Sequence, residues 1–158
     1  MSVNLSSTTP AAPSGATNVT FQTDGSGNVS AYITSAVELT GNGFDATAQT
    51  ANISTTDLIT TPVAGRYRIS AYIIVTTVDG ASSTLPSIVL TWNDADNGQG
   101  QTLTLTPTTT GNLLTTFESG DAFVSVGASA PLAFSTTGYA SGTPATMQYA
   151  IHITVEKL

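Results

Sequence analysis

Asp94 and Asp96 form the carboxylate cluster whose residue types and spacing could do chemistry in this chain. Two carboxylates this close together can coordinate Ca²⁺ or act as an acid–base pair. The EF-hand register fails, however, because counting from Asp94 places Gln99 where that loop requires glycine and Leu105 where it requires a bidentate glutamate. Asp, Asn and Gly are also the residues that tight turns require. We therefore interpret residues 93–100 as a hairpin loop, with Asp94 and Asp96 as weak candidate metal ligands.

Other residues that catalyse reactions are scarce. The chain contains one histidine, His152, and no cysteine, so a His–His acid–base pair, a cluster of His ligands and a thiolate nucleophile are absent within one subunit. No G-x-S-x-G sequence presents a nucleophilic serine, and no carboxylate is an obvious partner to orient His152. A glycosidase pair needs carboxylates on two facing elements, and nothing in the pattern brings Glu118 or Asp121 to the loop at 93–100. We predict no catalytic centre, no cofactor and no essential metal.

Composition and charge restrict the classes of protein to which this chain can belong. Hydrophobic residues make up 40% of the 158 residues and charged residues only 8%, which is typical of a folded domain with one core and unlike disordered chains. Only Arg66, Arg68 and Lys157 carry positive charge, against a net charge of −7. The chain therefore lacks the clustered cations that bind nucleic acid. No stretch reaches the roughly 18 apolar residues of a membrane span and no export signal is recognisable, so we expect neither nucleic acid nor membrane as a partner.

The elements that must position these residues are β-strands. From about Phe44 onward apolar and polar residues alternate with a period of two, and no apolar stripe with helical spacing competes. The sets predicted to share one side of a strand are Ile69, Ala71, Ile73 and Val75; Ile88, Leu90 and Trp92; Leu103 and Leu105; and Met147, Tyr149, Ile151, Ile153 and Val155. His152 falls on the side opposite the last set. About eight short strands separated by Gly, Pro and Asn turns predict an all-β sandwich or jelly roll.

Two further expectations concern short strands and aromatic residues. Strands are predicted at 113–117, 122–126 and 132–136, between turn signals. The aromatic residues are expected to belong mostly to the core, and a stacking platform for sugars lacks support. They are Tyr72, Trp92, Phe117, Phe123, Phe134 and Tyr149.

The N-terminal part differs in composition from the rest. Residues 1–17 are small and polar, and Pro10 and Pro13 keep the backbone extended, so this segment is predicted to be an arm or linker. Residues 18–43 contain two alternating runs around a Gly-rich turn, which predicts a β-hairpin that serves as an attachment segment. Residues 44–158 form the predicted jelly-roll domain.

Two stretches resemble C1q/TNF-like trimeric jelly rolls. The sequence TPVAGRYRISAY at 61–72 resembles the first core strand of that family, and FESGDAFVSV at 117–126 resembles its later G-D strand. Residues 5–32 and 137–152 are similar to parts of phage-type proteins found in virus and prophage sequences. The resemblance implies an antiparallel ten-strand (5+5) jelly roll that trimerises and is anchored to a virion through its N-terminal segment.

Two functional hypotheses follow. The first is a non-enzymatic bacteriophage virion protein on the particle surface, either capsid decoration or a fibre head domain, with itself and capsid or tail proteins as partners. The second is an adhesin module in which the loops at 79–86, 93–100 and 107–112 contact a host surface glycan. A secreted hydrolase would need acid–base pairs that the chain hardly contains.

Overall fold

The computed structural model describes residues 19–23, 29–33, 43–142 and 146–158. The chain divides into two compact units, Met1–Glu38 and Leu39–Leu158. Within the described ranges all regular structure is β-strand, and none of it is a helix long and apolar enough to cross a membrane. The arm predicted at residues 1–17 lies outside the described residues.

The first unit contains the predicted hairpin strands. β1 (Val19–Thr23) pairs with β2 (Val29–Ile33) in antiparallel orientation, with Phe21 opposite Ala31. The predicted pairing of these two runs is confirmed. A two-stranded hairpin is marginally stable by itself in water.

The second unit is an antiparallel β-sandwich with jelly-roll topology. Its strands are β3 (Gly43–Gln49), β4 (Thr56–Ile59), β5 (Gly65–Thr77), β6 (Ser83–Leu85), β7 (Ser87–Asn93), β8 (Gly100–Thr106), β9 (Thr109–Thr110), β10 (Phe117–Val126), β11 (Leu132–Thr137), β12 (Ala140–Ser141) and β13 (Gln148–Lys157). The first sheet has the order β10-β5-β13-β3 and the second sheet the order β4-β11-β7-β8. Most connections cross from one sheet to the other, as in a double Greek key. The all-β jelly-roll prediction is confirmed.

The strand count differs from the ten strands in two five-stranded sheets that the resemblance implied. Each main sheet has four strands, and three short strands form a separate sheet in the order β12-β6-β9. Gly43 at the start of β3 pairs with Thr154 near the end of β13. The chain therefore enters and leaves the sandwich at one end, which we call the base. We call the opposite end, with the loops at 78–82, 107–116 and 138–142, the tip.

The core lies between the two sheets and follows the predicted alternation in the strongest strands. Ile69, Ile73 and Val75 of β5 are fully buried, and so are Tyr149 and Ile151 of β13. Each such side chain stabilises the fold by about 1.5–3 kcal/mol relative to an exposed one. The remaining core side chains are mainly Leu85, Ile88, Leu90, Val124, Val126, Leu132, Phe134, Met147, Ile153 and Val155.

The predicted Leu103–Leu105 set is not a buried stripe. β8 is the edge of the second sheet, and Leu103 remains 38% exposed although it pairs with the buried Leu90. The register shifts at Ile88, which faces Thr106. Thr106 is fully buried, and its Oγ accepts a hydrogen bond from the Ile88 amide at 3.0 Å. The bulge and the open edge thus explain why the burial of side chains does not follow a period of two along β8.

The predicted strand at 113–117 is wrong over its first four residues. Leu113 to Thr116 form a turn, in which the Thr116 amide donates to the Leu113 carbonyl at 2.9 Å, and β10 begins only at Phe117. Leu113 and Leu114 are exposed at the tip. The apolar residues of this run had the composition of a strand but have no neighbouring strand to pair with.

Hydrogen bonds around one buried residue, Asp79, link the tip loops to one another. Asp79 is only 5% exposed, and it accepts hydrogen bonds from the Ala81 amide at 3.0 Å, the Ser141 hydroxyl and the Gly142 amide. The Asn112 side chain closes the other side, because its Oδ1 accepts from the Asp79 amide at 2.6 Å and its Nδ2 donates to the Asp79 carbonyl. Three loops therefore depend on Asp79.

Candidate functional site

The outward side of the first sheet carries large exposed aromatic side chains. Phe123 is 71% exposed, Phe117 53% and Tyr72 37%. We call this surface the aromatic face and define it by Tyr72, Phe117, Phe123, His152 and Asp45. The face of a sheet that is exposed to water is expected to carry polar residues. Exposed aromatic residues on one sheet face instead indicate a contact surface.

Strand register brings four of the five residues of the aromatic face together, and Phe123 lies further along the sheet, opposite Arg68. Tyr72 pairs directly with His152 on β13, and His152 pairs with Asp45 on β3. The rings of Tyr72 and His152 stack with centroids 6.4 Å apart, and the ring of Phe117 lies 5.7 Å from that of Tyr72. Contacts of this kind add about 0.5–1.5 kcal/mol beyond area burial and hold the rings in fixed positions.

The charges on this face are partly compensated within the chain. Arg68, which pairs with Phe123 across β5 and β10, lies 3.3 Å from the Asp121 carboxylate and 4.0 Å from that of Glu156. A hydrogen bond from the Ser70 hydroxyl, aided by the positive charge of Arg68, lowers the pKa of Asp121. The ion pairs are exposed and contribute little stability. One guanidinium faces two carboxylates, so this group of three residues keeps one negative charge in excess.

The expectation that the aromatic residues belong mostly to the core is wrong for three of them. Phe134 and Tyr149 are buried, and Trp92 is half-buried. Tyr72, Phe117 and Phe123, in contrast, point outward. For two of them the period of two along the strand predicts an outward side chain. Tyr72 lies between the core residues Ala71 and Ile73, and Phe123 lies between Ala122 and Val124.

His152 has a carboxylate partner that the sequence did not reveal. It lies on the exposed side of β13 as predicted, and its Nδ1 is 2.7 Å from Oδ1 of Asp45. The two residues are 107 positions apart, and only the pairing of β13 with β3 joins them. Both side chains are exposed, so water screens their interaction. No hydroxyl group of the described residues hydrogen-bonds to His152.

Asp94 and Asp96 lie in the predicted hairpin loop between β7 and β8. Oδ1 of Asp94 accepts hydrogen bonds from the Asp96 amide at 2.9 Å and the Asn97 amide at 3.2 Å, and Gly98 adopts a positive φ of 70°. This geometry is an Asx turn that uses the carboxylate to close the loop. Among the described residues no group of three or more His, Cys, Asp or Glu could hold a metal ion.

Replacing Asp94 and Asp96 together by asparagine is expected to leave any response to Ca²⁺ unchanged. Asparagine also closes Asx turns, so the loop keeps its shape, and two carboxylates without a third anionic ligand hold Ca²⁺ weakly. Thermal melting of both proteins in EDTA and in millimolar Ca²⁺ tests this. A rise of several degrees with Ca²⁺ in the wild type, lost in the double variant, would identify a metal site.

Glu118 and Asp121 do not complete a carboxylate pair with this loop. Alternation places them on opposite sides of β10, where Glu118 accepts a hydrogen bond from Thr109 and Asp121 accepts one from Ser70. Asp94 bridges to Val126, at the far end of β10 from Glu118. The facing carboxylates of a glycosidase are not formed by these residues.

The three loops proposed for glycan contact do not form one surface. The loops at 79–86 and 107–112 meet at the tip, where Ser83 Oγ donates to the Gly111 carbonyl at 2.7 Å. The loop at 93–100 follows the other end of β7 and lies at the base, next to Val126. Seven residues of strand, roughly 20 Å, separate the two ends. A single ligand site made of all three loops is therefore excluded.

Comparisons with known proteins give no family. No family model matches the chain, and no curated protein matches it. One similar solved structure is that of the Clostridium thermocellum N-terminal endo-1,4-beta-D-xylanase 10B, comprising CBM22-1 and GH10 modules complexed with xylohexaose. The identity is 9% and the TM-score 0.39, over 75% of this chain and 25% of that chain. The chain thus spans a quarter of that structure, and similarity at this level identifies neither a shared fold nor a shared function.

Proposed function

We propose that this chain is a non-enzymatic structural protein of a bacteriophage virion, a capsid decoration protein or a fibre head domain. In this proposal it assembles as a homotrimer and is anchored through its N-terminal arm. The observation that carries the self-association is the aromatic face, where Tyr72, Phe117 and Phe123 are exposed on a regular sheet. The virion context rests on the phage-type resemblance of residues 5–32 and 137–152.

Surface chemistry supports a second copy of the chain as the occupant of the aromatic face. Aromatic residues are enriched in the cores of protein interfaces, while unpaired charges are depleted there. Near Phe123, Arg68 forms ion pairs within the chain with Asp121 and, at 4.0 Å, with Glu156, so most of the charge there is already engaged. A copy related by rotation can bury these rings, and rotation closes a ring of subunits.

The chain path supports anchoring from the base. Gly43 and Leu158 both lie at the base, since Gly43 pairs with Thr154 and the Leu158 amide donates to the Arg66 carbonyl at 2.9 Å. In this proposal the anchoring segment is the one that precedes Gly43 in the chain. Anchoring through that segment leaves the tip, with Leu113 and Leu114, at the far end of the sandwich from the chain entry.

Deleting residues 1–17 is expected to abolish incorporation into particles and to leave the melting temperature unchanged. The deletion lies entirely within the unit Met1–Glu38, and the core belongs to the unit Leu39–Leu158. Mass spectrometry of purified particles measures incorporation and copy number, with the full-length protein as the control. High copy number indicates decoration and low copy number a fibre head.

Two results would contradict this proposal. Absence of the full-length protein from particles would exclude a virion role. A melting temperature lowered by more than about 5 °C in the deletion variant, equivalent to over 1 kcal/mol for a domain of this size, would show that the arm packs on its own domain.

A further inference from the structure

The outward side of the second sheet contains a depression of about 470 Å³ near the base. It is open to solvent and lies between the edge strands β4 and β8. Its lining residues are polar or small apart from Trp92 and Pro131. The lining residues are Thr55, Asp57, Thr91, Trp92, Asn93, Gly100, Gln101, Thr102, Ala130, Pro131 and Ala133.

A row of paired residues explains why the surface is concave here. Asp57, Ala133, Thr91 and Thr102 lie side by side across the four strands, as register pairs. Ala133 occupies the centre of the row and is 4% exposed. Because its methyl group is short, the taller side chains of Asp57 and Thr102 stand on either side of a low floor. The floor of the depression is thus built into the sheet, and the loop residues Thr55, Ala130 and Pro131 complete its lining.

The polar groups around this floor are available to a ligand. No side-chain hydrogen bond or ion pair joins Asp57, Thr91 or Thr102 to any other residue in the described part of the chain. The carboxylate of Asp57 accepts hydrogen bonds only, and each threonine hydroxyl both donates and accepts. Such a mixture matches a ligand whose own groups are both donors and acceptors.

The charge of the lining further narrows the chemical class of ligand that the depression can bind. Asp57 is its one charged residue, and Arg66, Arg68 and Lys157 are not among the lining residues. A carboxylate without a cation repels phosphates, sulfates and acidic sugars. The floor has no deep apolar hole that would anchor a large peptide side chain, but Ala130, Pro131 and Ala133 offer a shallow apolar strip. Neutral hydroxyl groups on a saturated ring fit the polar groups, and the C–H groups of such a ring fit this strip.

The side chain of Trp92 lies beneath the depression, on the core side of β7 with Leu90. Its indole Nε1 is buried and has no hydrogen-bond partner among the described residues. A buried N–H group without an acceptor is unfavourable, and such groups in a folded protein call for an explanation. A water molecule held beneath the depression would supply the missing acceptor.

We propose that this depression binds a neutral saccharide, with Asp57 as the principal acceptor for its hydroxyl groups. The site differs from the three-loop surface excluded above, because it is formed by strands of one sheet. It lies on the opposite sheet from the aromatic face, so it remains open when the aromatic face is covered. The proposal does not rest on the virion role or on trimerisation.

The single tryptophan of the chain makes the test direct. In a ¹⁵N-labelled sample the indole Nε1–H of Trp92 gives one isolated resonance beneath the depression. Titrations to tens of millimolar use neutral monosaccharides and oligosaccharides built from pentoses, hexoses and N-acetylhexosamines, a sialylated oligosaccharide and a lysine-rich peptide. We expect a saturable shift of the indole resonance with at least one neutral saccharide and none with the sialylated one.

Asp57→Asn removes the charged acceptor and keeps the size of the side chain. It is expected to weaken saccharide binding about tenfold or more, the typical effect of losing a hydrogen bond to a charged group. Asp96→Asn makes the same change in an exposed loop outside the lining and should leave affinity unaltered. A panel in which no neutral saccharide shifts the resonance would overturn the proposal. Binding insensitive to Asp57→Asn, or a response only to the lysine-rich peptide, would do so as well.

Discussion

Replacing Phe117 and Phe123 together by serine should convert the proposed homotrimer into a monomer while the fold stays intact. Both side chains are largely exposed in the single chain, so each substitution removes little from its own core. Substitutions at such positions usually change folding stability by no more than about 0.5 kcal/mol. In the proposed trimer the same rings would be buried against a neighbour, where central aromatic residues each contribute about 2 kcal/mol or more. Losing two of them at every interface is expected to exceed the stability of the assembly.

Light scattering coupled to size exclusion at micromolar concentration measures this effect. We expect the wild type to have three times the 16.0 kDa mass of one chain and the double variant to have the mass of one. Leu103→Ser is the matched control, because Leu103 is an exposed apolar residue on β8 of the second sheet. The control should remain trimeric. A monomeric wild type, or a double variant that keeps the trimer mass, would contradict the proposed interface.

The aromatic face also shows how far sequence reasoning reaches. Alternation correctly predicts which residues share a side of β5 and β13, and the buried side is the one with Ile69, Ile73 and Ile151. The same alternation places Tyr72 outside. An inventory of aromatic residues assigned it to the core instead, because large apolar side chains are usually buried. Where the two arguments conflict, the period of the strand is the better guide, and the conflict itself marks a contact surface.

Other features depend on strand pairing, which a single sequence does not contain. Nothing near His152 in the chain points to Asp45, and nothing near Asp57 points to Thr91 or Thr102. These groups meet because antiparallel register joins strands that are far apart in sequence. The depression likewise exists because a small residue lies in the middle of a row across four strands. Local patterns therefore predicted the sandwich and its core, while both candidate surfaces required the topology.

Asp79 could not have been singled out from the sequence either, and it is the residue on which the tip depends. It follows β5 in a segment that resembles any polar turn, yet the fold surrounds its carboxylate with donors from Ala81, Ser141 and Gly142. The hydrogen bond from the Ser141 hydroxyl, together with those from backbone amides, lowers the pKa of Asp79 below its usual 3.8 despite the opposing effect of burial. The ionised form is thus favoured in the folded state.

Asp79→Asn is expected to lower the melting temperature at pH 7 by several degrees. The variant retains one acceptor oxygen and turns an NH₂ group toward the Gly142 amide or the Ala81 amide, so two donors face each other in a buried site. Asp57→Asn, at an exposed carboxylate with no hydrogen bond to the described residues, is the control and should melt as the wild type does. Equal melting temperatures for the Asp79 variant and the wild type at pH 7 would contradict the role assigned to this carboxylate.

The pH dependence of the melting temperature should distinguish the contribution of the charge of Asp79 from the contribution of its packing. Because the pKa of Asp79 is lower in the folded state than in the unfolded chain, the ionised carboxylate stabilises the fold at pH values above about 3.8. That contribution is lost as the pH falls through the lowered pKa, since folded and unfolded chains then bind the proton equally. Protonated Asp79 resembles asparagine in offering a donor and an acceptor. The difference in melting temperature between wild type and Asp79→Asn should therefore narrow below pH 3.8, and a constant difference down to pH 2 would show that packing alone is responsible.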